Sequence, residues 1–120
     1  MTARTLKKLC LSFPGAVEEF PFNPEVSVFK VEGKMFALGS LERKPLQISL
    51  KCEPALAEQL RASHEAIAPG YHLNKRHWNT VTLDGSLPDT MVRHMVEDSY
   101  DLVVSALSRA KRDTLGWDRA

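Results

Sequence analysis

At 120 residues the chain is long enough for a single domain that buries a core without disulfide staples. Hydrophobic residues make up 43% and charged residues 26%, close to the globular average, which excludes a disordered chain. A formal net charge of +1 excludes a domain drawn to nucleic acid by bulk positive charge, so any polyanion contact must come from how the charges are distributed.

The first element is a helix over about residues 2 to 12, where Leu6, Leu9, Cys10 and Phe13 recur at helical spacing and Lys7 and Lys8 face away. Pro14-Gly15 ends it. The segment from Ala16 to Pro24 reads as an ordered loop pinned to the core by Phe20 and Phe22, with Glu18 and Glu19 solvated. Val26 to Val31 and Lys34 to Leu41 are β-type runs joined by the two-residue turn Glu32-Gly33. That turn pairs Val31 with Lys34, Phe29 with Phe36 and Ser27 with Leu38 on one face. Val28 with Ala37, and Lys30 with Met35, fall on the other. After a second turn, Glu42 to Pro45, the residues Leu46, Ile48 and Leu50 alternate with Gln47, Ser49 and Lys51. This predicts a strand with one covered face and one at least partly open.

Pro54 opens a helix over about residues 54 to 63 that buries Leu56, Ala57 and Leu60. Pro69-Gly70 breaks the chain, and Trp78 to Leu83 alternates again as a strand closed by Asp84-Gly85. Tyr71 and its neighbours supply a short strand before it. Ser86-Leu87-Pro88-Asp89 has the form of a capping box and opens a final helix of about five turns. Its apolar stripe is Met91, Val92, Met95, Val96, Tyr100, Val103 and Leu107. The tail, residues 109–120, is polar with one Trp and is expected to be loosely attached. The order is α-β-β-β-α-β-β-α, a single two-layer α+β domain over residues 1–120 with a five-stranded antiparallel sheet and helices on one face. Leu6, Leu9, Phe29 or Phe36, Ile48, Leu50, Leu60, Val81, Met95 and Val103 are its expected core.

The stretch from Gly70 to Val81 is unlike a plain turn. Tyr71, Trp78, Lys75, Arg76, His72, His77, Asn74 and Asn79 crowd into it, where a connecting loop needs only Gly, Pro, Ser or Asp. Tyr and Trp place an apolar body and a polar tip at a boundary, and Lys-Arg offers charge-assisted donors to phosphate or carboxylate. Two readings compete for these residues: Trp78 as core or contact, Lys75 and Arg76 as ligand contacts or solvated loop charges.

Catalytic patterns are missing. There is no Gly-rich phosphate loop and no nucleophile elbow, and His64, His72 and His77 lack the spacing of a zinc site. No enzyme activity, metal or cofactor is expected. Cys10 and Cys52 read as small hydrophobes in a reducing cytosol. No apolar run approaches a membrane span and no signal-peptide core is visible, so a cytoplasmic protein without a membrane partner is expected.

Several segments together resemble the MmcQ/YjbR family. They are Phe13-Pro14-Gly15-Ala16 with Glu18 to Phe22, Val28 to Val31 with Gly33 to Ala37, Ser49 to Cys52, and Gly70 to Asn79. The likeness runs from Leu6 to about Leu107 and is most specific at Lys34-Met35-Phe36 and Asn74 to Trp78. It implies an antiparallel α/β fold likened to CyaY and to secretion chaperones, and DNA binding through a double wing of hairpins. Carried onto this chain, the wings are the turns at Glu32-Gly33 and Glu42 to Pro45, and the matching basic residues are Lys30, Lys34, Lys51, Lys75 and Arg76. Iron binding does not carry over, because that rests on an acidic first helix and this one has Arg4, Lys7 and Lys8. The resulting expectation is a monomer that contacts double-stranded DNA through Lys30, Lys34, Arg43, Lys44, Lys51, Tyr71, Asn74, Lys75, Arg76 and Trp78. Two readings stand beside it: a pocket for a small anionic or aromatic ligand, and a chaperone-like face for protein partners.

Overall fold

The computed structural model describes residues 1–117. Four helices and six strands follow the order α1 (Ala3–Leu11), β1 (Val17–Glu19), β2 (Ser27–Val31), β3 (Lys34–Gly39), β4 (Leu46–Lys51), α2 (Pro54–Ser63), β5 (Ile67–Pro69), β6 (Trp78–Leu83), α3 (Asp89–Ser105) and α4 (Arg109–Leu115). The strands form one antiparallel sheet in the order β1-β2-β3-β4-β6-β5.

The sheet has six strands rather than five, because a short strand lies at each edge. β1 pairs with β2 inside the segment expected to be irregular. At the other edge Ile67–Pro69, not the residues around Tyr71, pairs with β6. Three-residue strands are too short to show a period of two, and short edges also limit unwanted pairing with other chains.

The β2–β3 turn forms where expected, with both Glu32 (φ 49°) and Gly33 (φ 77°) left-handed, the geometry that matches strand twist. Val31 faces Lys34 and Lys30 faces Met35, but beyond them the register slips. Phe29 faces Ala37, Val28 faces Leu38 and Ser27 faces Gly39, so Phe36 is the extra residue of a β-bulge. The physical reason lies in the layer above. The bulge sets the Phe36 ring edge-on to Tyr100 (5.3 Å, 89°) and to Phe13 (6.1 Å, 89°). It also turns the Phe36 carbonyl to the buried Ser99 hydroxyl, which donates to it, while Ser99 Oγ accepts from the Lys51 N–H at 2.8 Å.

All four helices lie against one face. α3 packs across β2, β3 and β4, and Val92, Val96, Tyr100, Val103 and Val104 meet Phe29, Val31, Phe36, Ile48, Leu50 and Val81 in one cluster. Leu6 and Cys10 of α1 join it. Leu9, Leu60 and Met95 pack at its margin, half-buried rather than fully inside. Leu56 is 38% exposed, because α2 sits over the β5–β6 edge and turns only Ala57 fully inward. The start of α3 also differs from its sequence pattern: Pro88 takes the N-cap without a side-chain bond, and Ser86 instead donates to Asp84 at 2.6 Å. That bond, with a second from the Ser86 N–H, lowers the Asp84 pKa.

The described part of the tail, 109–117, packs against the core. Arg109–Leu115 is helical, and Trp117 sets its ring edge-on to Phe13 (5.7 Å, 83°) and Tyr100 (5.0 Å, 80°) and donates its indole N–H to Asp101. Its remainder, 118–120, lies outside the described residues.

Candidate nucleic-acid interface

The face of the sheet away from the helices is built from Leu38 of β3, Gln47, Ser49 and Lys51 of β4, and Trp78, Thr80 and Thr82 of β6, which the register places side by side. Val28 and Trp78 are buried yet stand outside the helix-side cluster, so this second face is partly roofed by loops. Two loops flank it: residues 20–26, and the stretch before β6.

The second loop is cross-braced. The Gly70 N–H donates to the Trp78 carbonyl at 2.8 Å, and a Cβ at Gly70 would stand 2.7 Å from Trp78 Cβ, so only glycine allows the approach. The Tyr71 N–H donates to Thr80 Oγ1 at 3.2 Å, and His72 turns the chain in a left-handed conformation (φ 58°). Asn74 Oδ1 accepts the Arg76 N–H at 3.0 Å, an Asx turn, and Lys75 Nζ donates to the Gly70 carbonyl at 3.0 Å. From α2, Arg61 donates to the Lys75 carbonyl at 2.9 Å and to Asn79 Oδ1 at 3.0 Å. The polar crowding of this stretch is therefore largely used to hold its own shape. Tyr71 remains 72% exposed, its ring centre 4.0 Å from that of His72. The Arg76 side chain has no hydrogen bond or ion pair among the described residues.

Between the two loops runs a groove of about 430 Å³. Phe22, Val26, Leu38, Tyr71 and Leu73 form its apolar walls, Gln47, Ser49 and Thr80 its floor, and Arg43 its rim. Among the described residues no carboxylate lines it. Phe20 and Phe22 are 50% and 63% exposed, so they do not pin their loop to the core as expected; they stand in solvent with Tyr71. The floor is already bonded within itself: Ser49 Oγ and Thr80 Oγ1 are 2.8 Å apart, and Gln47 Nε2 donates to Thr82 Oγ1 at 3.1 Å. The surface can stack a planar group and hold an anion beside it.

The ten expected contact residues fall into separate groups. Tyr71 and Arg43 meet at the groove. Lys44 follows Arg43 on the exposed β3–β4 turn, and Lys34 stands exposed at the far end of β3, roughly 20 Å away for six residues at about 3.3 Å each. Lys51 registers with Trp78 at that far end and is half-buried. Four members are engaged within the fold itself. Trp78 is only 8% exposed, so it offers no open ring to a ligand. Lys30 is ion-paired to Glu19 at 3.1 Å, which also corrects Glu19 from solvated to paired; Glu18 likewise holds Lys7 at 3.0 Å. Asn74 and Lys75 shape the loop. Phe22, Gln47 and Arg61 were missed. Phe22 sits among prolines and reads as an anchor, Gln47 reads as an ordinary outward strand residue, and nothing local ties Arg61 to a loop fourteen residues on.

A second cleft, of about 410 Å³, lies among the start of α2, α3 and α4, and Cys52, Leu56, Asp98, Asp101, Arg112 and Trp117 are among its lining residues. Burial, then Asp98 and Glu53, raise the Cys52 pKa, which keeps it a thiol rather than a nucleophile. Among the described residues no group of three His, Cys, Asp or Glu is placed to hold a metal ion, and no helix is long and apolar enough to cross a membrane.

These features define a two-layer α+β protein with an aromatic-lipped groove on its open sheet face. The family model described as YjbR matches residues 11–102, and the chain belongs to the YjbR family. It is 41% identical over 116 residues to the uncharacterized protein YjbR of Escherichia coli K12, covering 96% of this chain and 98% of that one. It is 39% identical over 109 residues to the uncharacterized protein YbdF of Escherichia coli O157:H7, covering 91% of this chain and 88% of that one. A crystal structure of a Deinococcus radiodurans protein with a DUF419 domain superposes with a TM-score of 0.92 at 42% identity, covering 98% of this chain and 89% of that one. A crystal structure of a Pseudomonas syringae protein gives 0.72 at 28% identity, covering 85% of this chain and 98% of that one.

Proposed function

We propose that the chain binds DNA across the open face of its sheet, without a catalytic step or cofactor, as a cytoplasmic monomer. One observation carries the reading: exposed aromatic rings and Arg43 gather at a groove that, among the described residues, no carboxylate lines. With a net charge of only +1, attraction has to be local, and this face supplies it. Arg43, Lys44 and Arg76 are exposed cations of the flanking turns, and their donors match phosphate oxygens. The reading agrees with what the MmcQ/YjbR resemblance implies, although the wing residues share the work with a loop and a groove. Its test is a titration with duplex and with single-stranded DNA at several salt concentrations. Phosphate contacts make affinity fall steeply as salt rises. Saturable binding with that dependence supports the proposal, and no binding at low salt ends it.

A further inference from the structure

We infer that the groove on the open face receives one unpaired nucleobase, so that the protein prefers single-stranded DNA to duplex; the inference rests on the DNA-binding reading above. Its volume of about 430 Å³ lies within the roughly 300–1,000 Å³ of small-molecule sites, which suits a planar group rather than a helix or a duplex edge. Tyr71 and Phe22, both lining it, are 72% and 63% exposed. Large rings left in water beside an apolar hollow mark a surface that is covered in use. A duplex shows them only phosphates and base edges, whereas an unstacked base offers the flat face that aromatic side chains stack on.

The floor supplies the complementary polar edge. Gln47 uses one amide N–H on Thr82 Oγ1 and has no other side-chain partner among the described residues. It keeps a carbonyl acceptor and a second N–H, the pairing that the Watson–Crick edge of a base presents in reverse. Ser49 and Thr80 are occupied with each other and with the Tyr71 N–H, so they hold the floor in shape. Charge selects the occupant. Arg43 is a cation on the lining, and with no carboxylate there among the described residues the groove favours a base that carries its phosphate.

The experiment uses the whole chain and follows fluorescence anisotropy of a labelled single strand, the same strand with abasic sites, and the matching duplex. The single strand binds tighter than the duplex. Tyr71→Ala weakens single-strand binding by about 5- to 150-fold, the equivalent of about 1–3 kcal/mol for one stacked base. Tyr71→Phe keeps most of it, because the ring and not the hydroxyl stacks. The abasic strand binds wild type as weakly as the intact strand binds Tyr71→Ala. Circular dichroism checks that each variant is folded, as expected for an exposed side chain. Equal affinity for duplex and single strand, with Tyr71→Ala unchanged on both, overturns the base site and leaves DNA binding standing. Loss of affinity for all three DNAs in wild type removes both.

Discussion

Lys75 and Arg76 are neighbours in sequence with different work. Lys75 Nζ is bonded to the Gly70 carbonyl inside its own loop, while the Arg76 guanidinium has no partner among the described residues. Lys75→Ala is therefore expected to lower stability by about 1 kcal/mol, read from chemical denaturation. Arg76→Ala leaves the melt unchanged. Equal melts for the two variants contradict the assignment. The adjacent Lys-Arg letters gave no hint of this split, because the bond depends on how Gly70 closes onto Trp78. Cys10 illustrates a second residue-scale effect. Burial, then Glu18, push its pKa up to about 12 from 9.0, so the folded state keeps a neutral thiol that the unfolded chain ionises above about pH 9. Stability from this group is complete below pH 9 and is lost as pH rises toward 12. The loss approaches about 1.4 kcal/mol for each pH unit above 9. Tyr100, raised to about 12 by burial and then by Asp101, adds to it in the same direction. Denaturation followed from about pH 7, below the window, to about pH 10.5, within its lower half, should show the decline beginning near 9.0, and Cys10→Ala should reduce it. A flat profile would show that the thiol is not held neutral.

At the scale of elements, what could be read from sequence was what has a period. β4 and α2 have the predicted boundaries, and β6 begins at Trp78, because alternation and a first-turn proline are local signals. What escaped depends on other elements. The β3 bulge is set by Tyr100 and Ser99 far along the chain, β1 is three residues long, and the polar tail hides a helix anchored by Leu115 and by Trp117 just beyond it. Trp117 touches two rings edge-on, and contacts of this kind add about 0.5–1.5 kcal/mol each, so Trp117→Ala should cost roughly 1–3 kcal/mol. It should also speed amide exchange across Arg109–Leu115. Unchanged exchange there would mean that α4 is held by something other than this ring.

For the whole molecule, near-zero net charge and a two-faced sheet describe the same design. The helices cover one face, and the other gathers exposed aromatics and cations at loops that strands of three to six residues hold apart. The candidate site was half legible: composition singled out the loop from Gly70, and the family resemblance the turn with Arg43, but neither showed that they share a groove with Phe22, since chain distance conceals which loops meet. On the covered side Arg4, Lys8 and Arg93 line another hollow, of about 580 Å³, between α1 and α3. Charge alone therefore does not choose between the two faces.

The measurement that chooses is the salt dependence of single-strand binding for wild type, for Arg43→Ala/Arg76→Ala, and for Lys8→Ala/Arg93→Ala, which removes equal charge from the opposite side. Each lost phosphate contact lowers the slope of log K against log salt by roughly 0.7, so the open-face double variant should lose about 1.4. The covered-face variant should keep the wild-type slope, with both variants folded. A slope that falls for the covered-face variant and stays for the open-face one would place the DNA on the helices and contradict the account.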